Sequence, residues 1–216
     1  MNQTFWFKAS GRSDIGLARE NNEDSGFIGQ KYLLVADGMG GHAAGELASA
    51  TAVSVISNFD KKDDQNANLI IKEISTKIKN AINKDSKRHG MGTTVSFVKL
   101  DENKLNIYHI GDSRVYLIRN KKIKLLTKDQ TYIQTLIDSG EISIEEAKNH
   151  PQKSLLLQAI DGSENLNLQE IQIDVQNGDK LLLCTDGLTN VVDESEIENI
   201  INSFENVGAV SALIEK

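Results

Sequence analysis

Residues 32–45 read Tyr-Leu-Leu-Val-Ala-Asp-Gly-Met-Gly-Gly-His-Ala-Ala-Gly, an apolar run that ends at Asp37 and gives way to glycines. A glycine-rich turn after a strand is the usual cradle for a phosphate, because its backbone N–H groups can close on the oxygens. Asp37 would repel that phosphate. The glycines Gly38, Gly40 and Gly45 are spaced G-x-G-x-x-x-x-G, which departs from the dinucleotide fingerprint G-x-G-x-x-G. No Lys-Ser or Lys-Thr follows them, so a P-loop is excluded. An acid in this place makes sense if the first ligand it meets is a cation.

The arrangement recurs. The segments KYLLVADG, LNIYHIGDSR and KLLLCTDG put Asp37, Asp112 and Asp186 at the ends of apolar strands, each beside a glycine. Any one of them alone reads as an ordinary Asp-Gly turn. Three together can converge at the rim of one sheet system, where partly buried carboxylates repel unless protons or cations neutralise them. No cysteine pair and no histidines at ligand spacing accompany them. An oxygen-only set selects a hard ion such as Mg²⁺ or Mn²⁺. Upstream, LARENNEDSG offers Arg19 as a planar fork for a phosphate, with Glu23 and Asp24 as further carboxylates. By itself ENNED reads as a solvated polar loop.

The bulk numbers bound the class. With 216 residues, 39% hydrophobic and 25% charged, the chain fits one globular domain, 1–216, with a sizeable core. A net charge of -7 argues against nucleic acid and against anionic membrane surfaces as partners. The single cysteine, Cys184, lies in an apolar run with no basic neighbour and reads as a core residue. No secretory leader or membrane-length apolar run is seen, so the expected location is cytoplasmic.

Patterning predicts strands over Thr4–Lys8, Lys31–Ala36, Thr93–Leu100, Lys104–Ile110, Arg114–Arg119, Lys121–Leu126, Leu168–Val175 and Lys180–Thr185. It predicts helices over Ala44–Phe59, Leu69–Asn83, Thr131–Ser139, Ser143–Asn149, Glu194–Asn202 and Val207–Lys216, with Ser143 and Glu146 spaced as a capping box. Strands in runs and helices in runs indicate an α+β fold of antiparallel sheets with helices outside.

The stretches ARENNEDS, LLVADGMGGHAAGELAS, GMGTTVS, HIGDSRVYLIR, LTKDQTYIQTLIDSGEISIEEAKNHPQKSLLLQAIDG and LLLCTDGLTN together resemble the metal-dependent protein serine/threonine phosphatases of the 2C type, in their bacterial single-domain form. The resemblance runs from about Arg12 to the end of the sequence. It implies a four-layer α-β-β-α sandwich of two antiparallel sheets. It implies two Mn²⁺ or Mg²⁺ ions bridged by Asp37, with the Gly38 carbonyl and Asp186 as ligands, and a weaker third ion at Asp112 and Asp186. Glu23 and Asp24 would act through bound water, Arg19 would hold the substrate phosphate, and His42 is a candidate general acid. His89, His109 and His150 are expected to be structural or exposed. Residues 127–162 resemble a flap beside the cleft that influences which phosphoprotein docks. The implied partners are phosphorylated proteins and a serine/threonine kinase with its substrates. The family's pattern continues with a Gly-x-x-Asp-Asn segment, which supplies a further metal ligand and a final core strand. The sequence stops at Lys216 before such a segment, so the sandwich is expected to lack that strand. A second reading follows, a phosphoprotein-binding module with impaired catalysis.

Overall fold

Burial alternates residue by residue along the strand Tyr32–Met39, and that alternation sorts the two faces of a sheet. In the computed structural model, which describes residues 5–17, 19–41, 43–61 and 66–216, Tyr32, Leu34 and Ala36 pack into one core and Leu33 faces a second one. Asp37 shares the parity of Leu33 and Val35.

The strands are β1 (Asp24–Ile28), β2 (Tyr32–Met39), β3 (Gly92–Thr93), β4 (Val95–Asp101), β5 (Lys104–Ile110), β6 (Arg114–Arg119), β7 (Lys122–Leu125), β8 (Gln169–Asp174) and β9 (Lys180–Cys184). The helices are α1 (Ala43–Asp60), α2 (Ala67–Lys84), α3 (Tyr132–Ser139), α4 (Ile144–Lys148), α5 (Asp186–Thr189), α6 (Glu194–Ser203) and α7 (Asn206–Ile214), with a 3₁₀ turn at Ser86–Arg88. One antiparallel sheet runs β1-β2-β4-β5-β8, with β3 added on β2; the other runs β7-β6-β9.

Three apolar clusters separate four layers. The first joins α1 and α2 to the outer face of β2 and β4 through Ile56, Ile70, Ile74 and Phe97. The second joins α6 and α7 to β6 and β9 through Tyr116, Cys184, Ile197 and Leu213. The third fills the space between the sheets with Val98, Leu105, Ile107 and Val115, flanked by Leu33, Leu181 and Leu183. The result is helices, sheet, sheet, helices, as the α+β reading expects. Burial pushes the Cys184 thiol up to about 12, which fits a packed core residue and not a nucleophile.

Local signals hold in several places. Ser143 accepts from the Glu146 N–H while the Glu146 carboxylate accepts from the Ser143 N–H, closing the capping box that starts α4. Thr131 caps α3, and Gly140 ends it in the left-handed conformation. Elsewhere the structure corrects the sequence. Phe5–Lys8, expected as part of a strand, carries no regular structure, and Thr4 lies outside the described residues. The supposed loop at Asp24 is the start of a strand, β1, which pairs with β2 in the register Asp24↔Asp37. Asp37 is not the last residue of its strand, and Asp186 opens the short helix α5. Among the described residues β9 has a hydrogen-bonded neighbour on one side only.

Candidate metal and phosphate site

The β1–β2 register sets Asp24 directly beside Asp37. Asp37 is on the parity that faces the other sheet, and a hydrogen bond crosses between the sheets at this point: Thr185 Oγ1, at the end of β9, donates to Asp24 Oδ2 at 2.7 Å. The next residue is Asp186, whose Oδ2 accepts from Asn190 Nδ2 at 3.0 Å. Asp37 feels the negative charge of both Asp24 and Asp186. Two strands of one sheet and the end of a strand in the other therefore bring three carboxylates together.

The electrostatics reflect that crowding. Burial, then the charges of Asp24, Asp186 and Asp112, push Asp37 up to about 8. Burial, then Asp186 and Asp129, push Asp112 up to about 7. Asp24 is also raised by burial and by Asp186, against the Thr185 hydrogen bond and, more weakly, the charge of Arg19. Arg19 itself is exposed.

A cleft of about 1690 Å³ opens here, lined by Arg19, Glu23, Asp24, Asp37, Gly38 and Asp186, and continues between the sheets past Leu33, Leu105 and Leu181. Asp112 does not line it. It sits in the turn between β5 and β6 and joins the group through its charge. His42 lies outside the described residues. His109 is fully buried, and burial lowers it to about 4, so it is neutral and structural.

Gly38 is confined. A Cβ there would collide with the carbonyls of Gly45 and Glu23, and the Gly38 N–H donates to the Glu23 carbonyl at 3.1 Å. Gly40 has φ +120°, and a Cβ there would meet Met91 Cα at 2.7 Å. Gly38 thus lets the first turn of α1 and the β1 entry pack against the Asp37 strand, and Gly40 admits the Gly90–Met91 backbone, which accounts for glycines after the acid.

Sequence reasoning missed the polar support beneath the acids. The Asp37 N–H donates to Thr94 Oγ1 at 3.0 Å, the Asp37 carbonyl accepts from the Thr94 N–H at 2.8 Å, and Thr94 Oγ1 pairs with Ser113 Oγ at 2.6 Å. Thr93 Oγ1 donates to the Asp37 carbonyl at 3.0 Å. Two acid-bearing segments, 37 and 112–113, share one buried hydroxyl pair. Only the threonine doublet in GMGTTVS hints at it in the sequence.

The donor set is all oxygen, partly buried and short of positive charge, which fits a hard divalent cation better than any other group. Among the described residues no three His, Cys, Asp or Glu side chains gather tightly enough to hold an ion by themselves.

Comparison with known proteins agrees. The sequence model of the family described as protein phosphatase 2C matches residues 20–214. The serine/threonine protein phosphatase PstP of Mycobacterium tuberculosis is 38% identical over 221 residues, which is 98% of this chain and 42% of that protein, so the chain spans less than half of that relative. The serine/threonine phosphatase stp of Listeria monocytogenes is 38% identical over 208 residues, 89% of this chain and 82% of that protein. The crystal structure of the M. tuberculosis phosphatase PstP/Ppp superposes with a TM-score of 0.90 at 38% identity, covering 94% of this chain and 88% of that one. A structure of the catalytic domain of PstP in complex with two manganese ions gives 0.87 at 35% identity over the same shares.

Proposed function

Since the chain belongs to the protein phosphatase 2C family, we propose that it hydrolyses phosphoserine and phosphothreonine in proteins, with Mn²⁺ or Mg²⁺ as cofactor. The observation that carries this reading is the meeting of Asp24, Asp37 and Asp186 at the mouth of one cleft, with Asp37 raised to about 8 by burial and by its acidic neighbours. A carboxylate group that unfavourable without a cation is what a divalent site requires. The two manganese ions named for the PstP catalytic domain support the same choice.

In this proposal Asp37, the Gly38 carbonyl and Asp186 would hold two ions, and Asp112 with Asp186 would hold a weaker third. Bound ions supply neutralising charge and a water acidic enough to react near neutral pH. Arg19, exposed in the lining of the same cleft, draws the phosphate oxygens into it and takes up charge on them. Glu23 and Asp24 orient water, and His42 is the candidate proton donor to the departing serine or threonine oxygen. Residues 127–162 act as a flap that selects the phosphoprotein. The partners would be phosphoproteins made by a serine/threonine kinase, in cytoplasmic signalling. Among the described residues no helix is long and apolar enough to cross a membrane.

The test is release of phosphate from a phosphothreonine peptide with Mn²⁺, with and without chelator, beside calorimetric titration of Mn²⁺. Two ions bound and chelator-sensitive turnover support the reading. Turnover that persists in chelator, or in Asp37→Asn, overturns it. One ion bound without turnover would favour the phosphoprotein-binding module.

A further inference from the structure

Asp112 is gripped from both sides by two consecutive residues of another segment. On its N-terminal side, Gln130 makes a two-point clamp on Gly111: the Gly111 N–H donates to Gln130 Oε1 at 2.9 Å, and the Gln130 N–H donates to the Gly111 carbonyl at 2.7 Å. On its C-terminal side, Arg114 Nε and Nη2 donate to the Asp129 carboxylate at 3.0 and 2.7 Å, a bidentate fork with Asp129 only 14% exposed. Gly111 has φ +112°, and a Cβ on it would meet Thr94 Cγ2 at 2.5 Å, so this turn has no room to shift toward β4.

Gln130 reaches further. Its carbonyl accepts from the Leu157 N–H at 2.9 Å, and its Nε2 donates to the Asn167 carbonyl at 2.8 Å. Next to it Thr131 bridges to Leu156, and the Tyr132 N–H donates to the Leu155 carbonyl. One side chain and its own peptide thus bind the Asp112 turn, the start of segment 127–162 and the return of that segment at 155–157.

We propose that Gln130 is a positioning residue that makes the placement of Asp112 and the seating of segment 127–162 a single mechanical variable. A phosphoprotein that shifts this segment on docking then alters how Asp112 presents its carboxylate. By reciprocity an ion drawn to Asp112 alters docking by the same factor. This rests on the reading of the site as a phosphatase centre with a flap.

The experiment compares wild type, Gln130→Ala and Gln130→Glu in the full chain. Glutamate keeps an oxygen for the Gly111 N–H but loses the donor to Asn167. Hydrogen exchange in metal-free protein is the first readout. In Gln130→Ala the amides at 111–114 and 155–157 should exchange faster together, while those of α1 and α2 do not. Mn²⁺ titration by calorimetry is the second, with affinity for the weakest-bound ion expected to fall about 10–100-fold, the range for residues that orient ligands. Activity is the third. KM for a phosphothreonine protein should rise several-fold in Gln130→Ala while KM for p-nitrophenyl phosphate stays within about two-fold. Gln130→Glu should retain most of the Mn²⁺ affinity and lose the substrate discrimination. Exchange that rises at only one of the two segments, or Mn²⁺ affinity unchanged in a folded Gln130→Ala, overturns the proposal. If wild type binds no Mn²⁺ and hydrolyses neither substrate, the phosphatase reading fails, and the exchange pattern still decides whether the clamp exists.

Discussion

The two halves of the sandwich are closed to different degrees. In the half built on β1, β2, β4, β5 and β8, the residues Val55, Ile56, Ile70, Ile74, Ile78 and Phe97 are wholly buried under α1 and α2. In the half built on β6, β7 and β9, Leu182, Ile123 and Leu125 are half-buried, and Phe204 and Val207 beside α6 and α7 are exposed. The outer face of the first half, the frame, is closed under its helices and that of the second, the open half, is covered less fully, while both line the cleft between the sheets, through Leu33 and Leu105 on one side and Leu181 on the other. The acids are divided between them: Asp24 and Asp37 stand on the frame, Asp186 on the open half, and Asp112 in the turn that passes from one sheet to the other. The spacing of the carboxylates therefore depends on how the less closed half seats on the more closed one. Local opening should begin in the second half.

Removal of one acid gives the largest effect and separates function from folding. Asp37→Asn should lower Mn²⁺-dependent hydrolysis at least about 10³-fold, since on the proposed reading it would remove charge that both ions need. The same variant should melt higher than wild type in chelator at pH 7. The fold holds Asp37 at about 8 against an ordinary 3.8, so it disfavours the ionised form, and stability falls as pH rises above the ordinary value. A lower melting temperature in chelator would mean that the loss of activity reports unfolding. The comparison of halves then predicts unequal core costs. Ile74→Ala, in the frame, should cost about 3 kcal/mol by urea denaturation. Leu182→Ala, half-buried on β9, should cost about 1–2 kcal/mol. Equal costs would show that the second half is packed as firmly as the first.

Thr94→Val tests the joint between them. It keeps the shape, deletes the acceptor for the Asp37 N–H and strands the Ser113 hydroxyl, at about 2 kcal/mol. Because Thr94 supports Asp37 and Ser113 together, kcat should fall more than stability alone explains in protein that remains folded. Serine at 94 should restore most of it. Full activity in folded Thr94→Val would leave the hydroxyl pair with a packing role only.

The sequence made the frame readable and left the seam obscure, for physical reasons. The strands Lys104–Ile110 and Arg114–Arg119 match the structure because strand patterning and short turns are local properties. Helix α1 lies within a residue of its expected bounds because its small apolar residues recur at helical spacing. By contrast β1, with the sequence DSGFI, has weak strand propensity and exists through pairing with β2. Phe5–Lys8 has strand-like residues but pairs with no strand among the described residues. The same non-locality hid part of the site. Asp24 acquires its neighbour Asp37 through register, and the Thr94–Ser113 contact follows from the β4–β5 pairing that sets Ser96 opposite His109. Strand-end aspartates can be counted in a sequence, but the hydroxyls beneath them depend on which strands meet.

The far end of the open half offers the smallest effect and the finest test. Arg119, closing β6, grips Asp179 with Nε and Nη2 at 2.8 and 2.7 Å, and Asp179 also accepts from the Gln176 N–H at 2.8 Å. Burial would raise the Asp179 carboxyl, but these donors outweigh it and hold the group below its ordinary 3.8. Such a group stabilises the fold fully above 3.8, and the contribution is lost as pH falls from there through the lowered value. Asp179→Asn should therefore cost about 1 kcal/mol in urea at both pH 7 and pH 5. The gap from wild type should narrow only below about pH 4. A gap that already shrinks between pH 7 and pH 5 would refute the depressed carboxyl. Activity should stay within about two-fold of wild type, because the pair lies at the end of β6 and β9 away from Asp186. If hydrolysis falls tenfold or more, a small loosening of this turn reaches the carboxylates, and the open half transmits strain along its whole length.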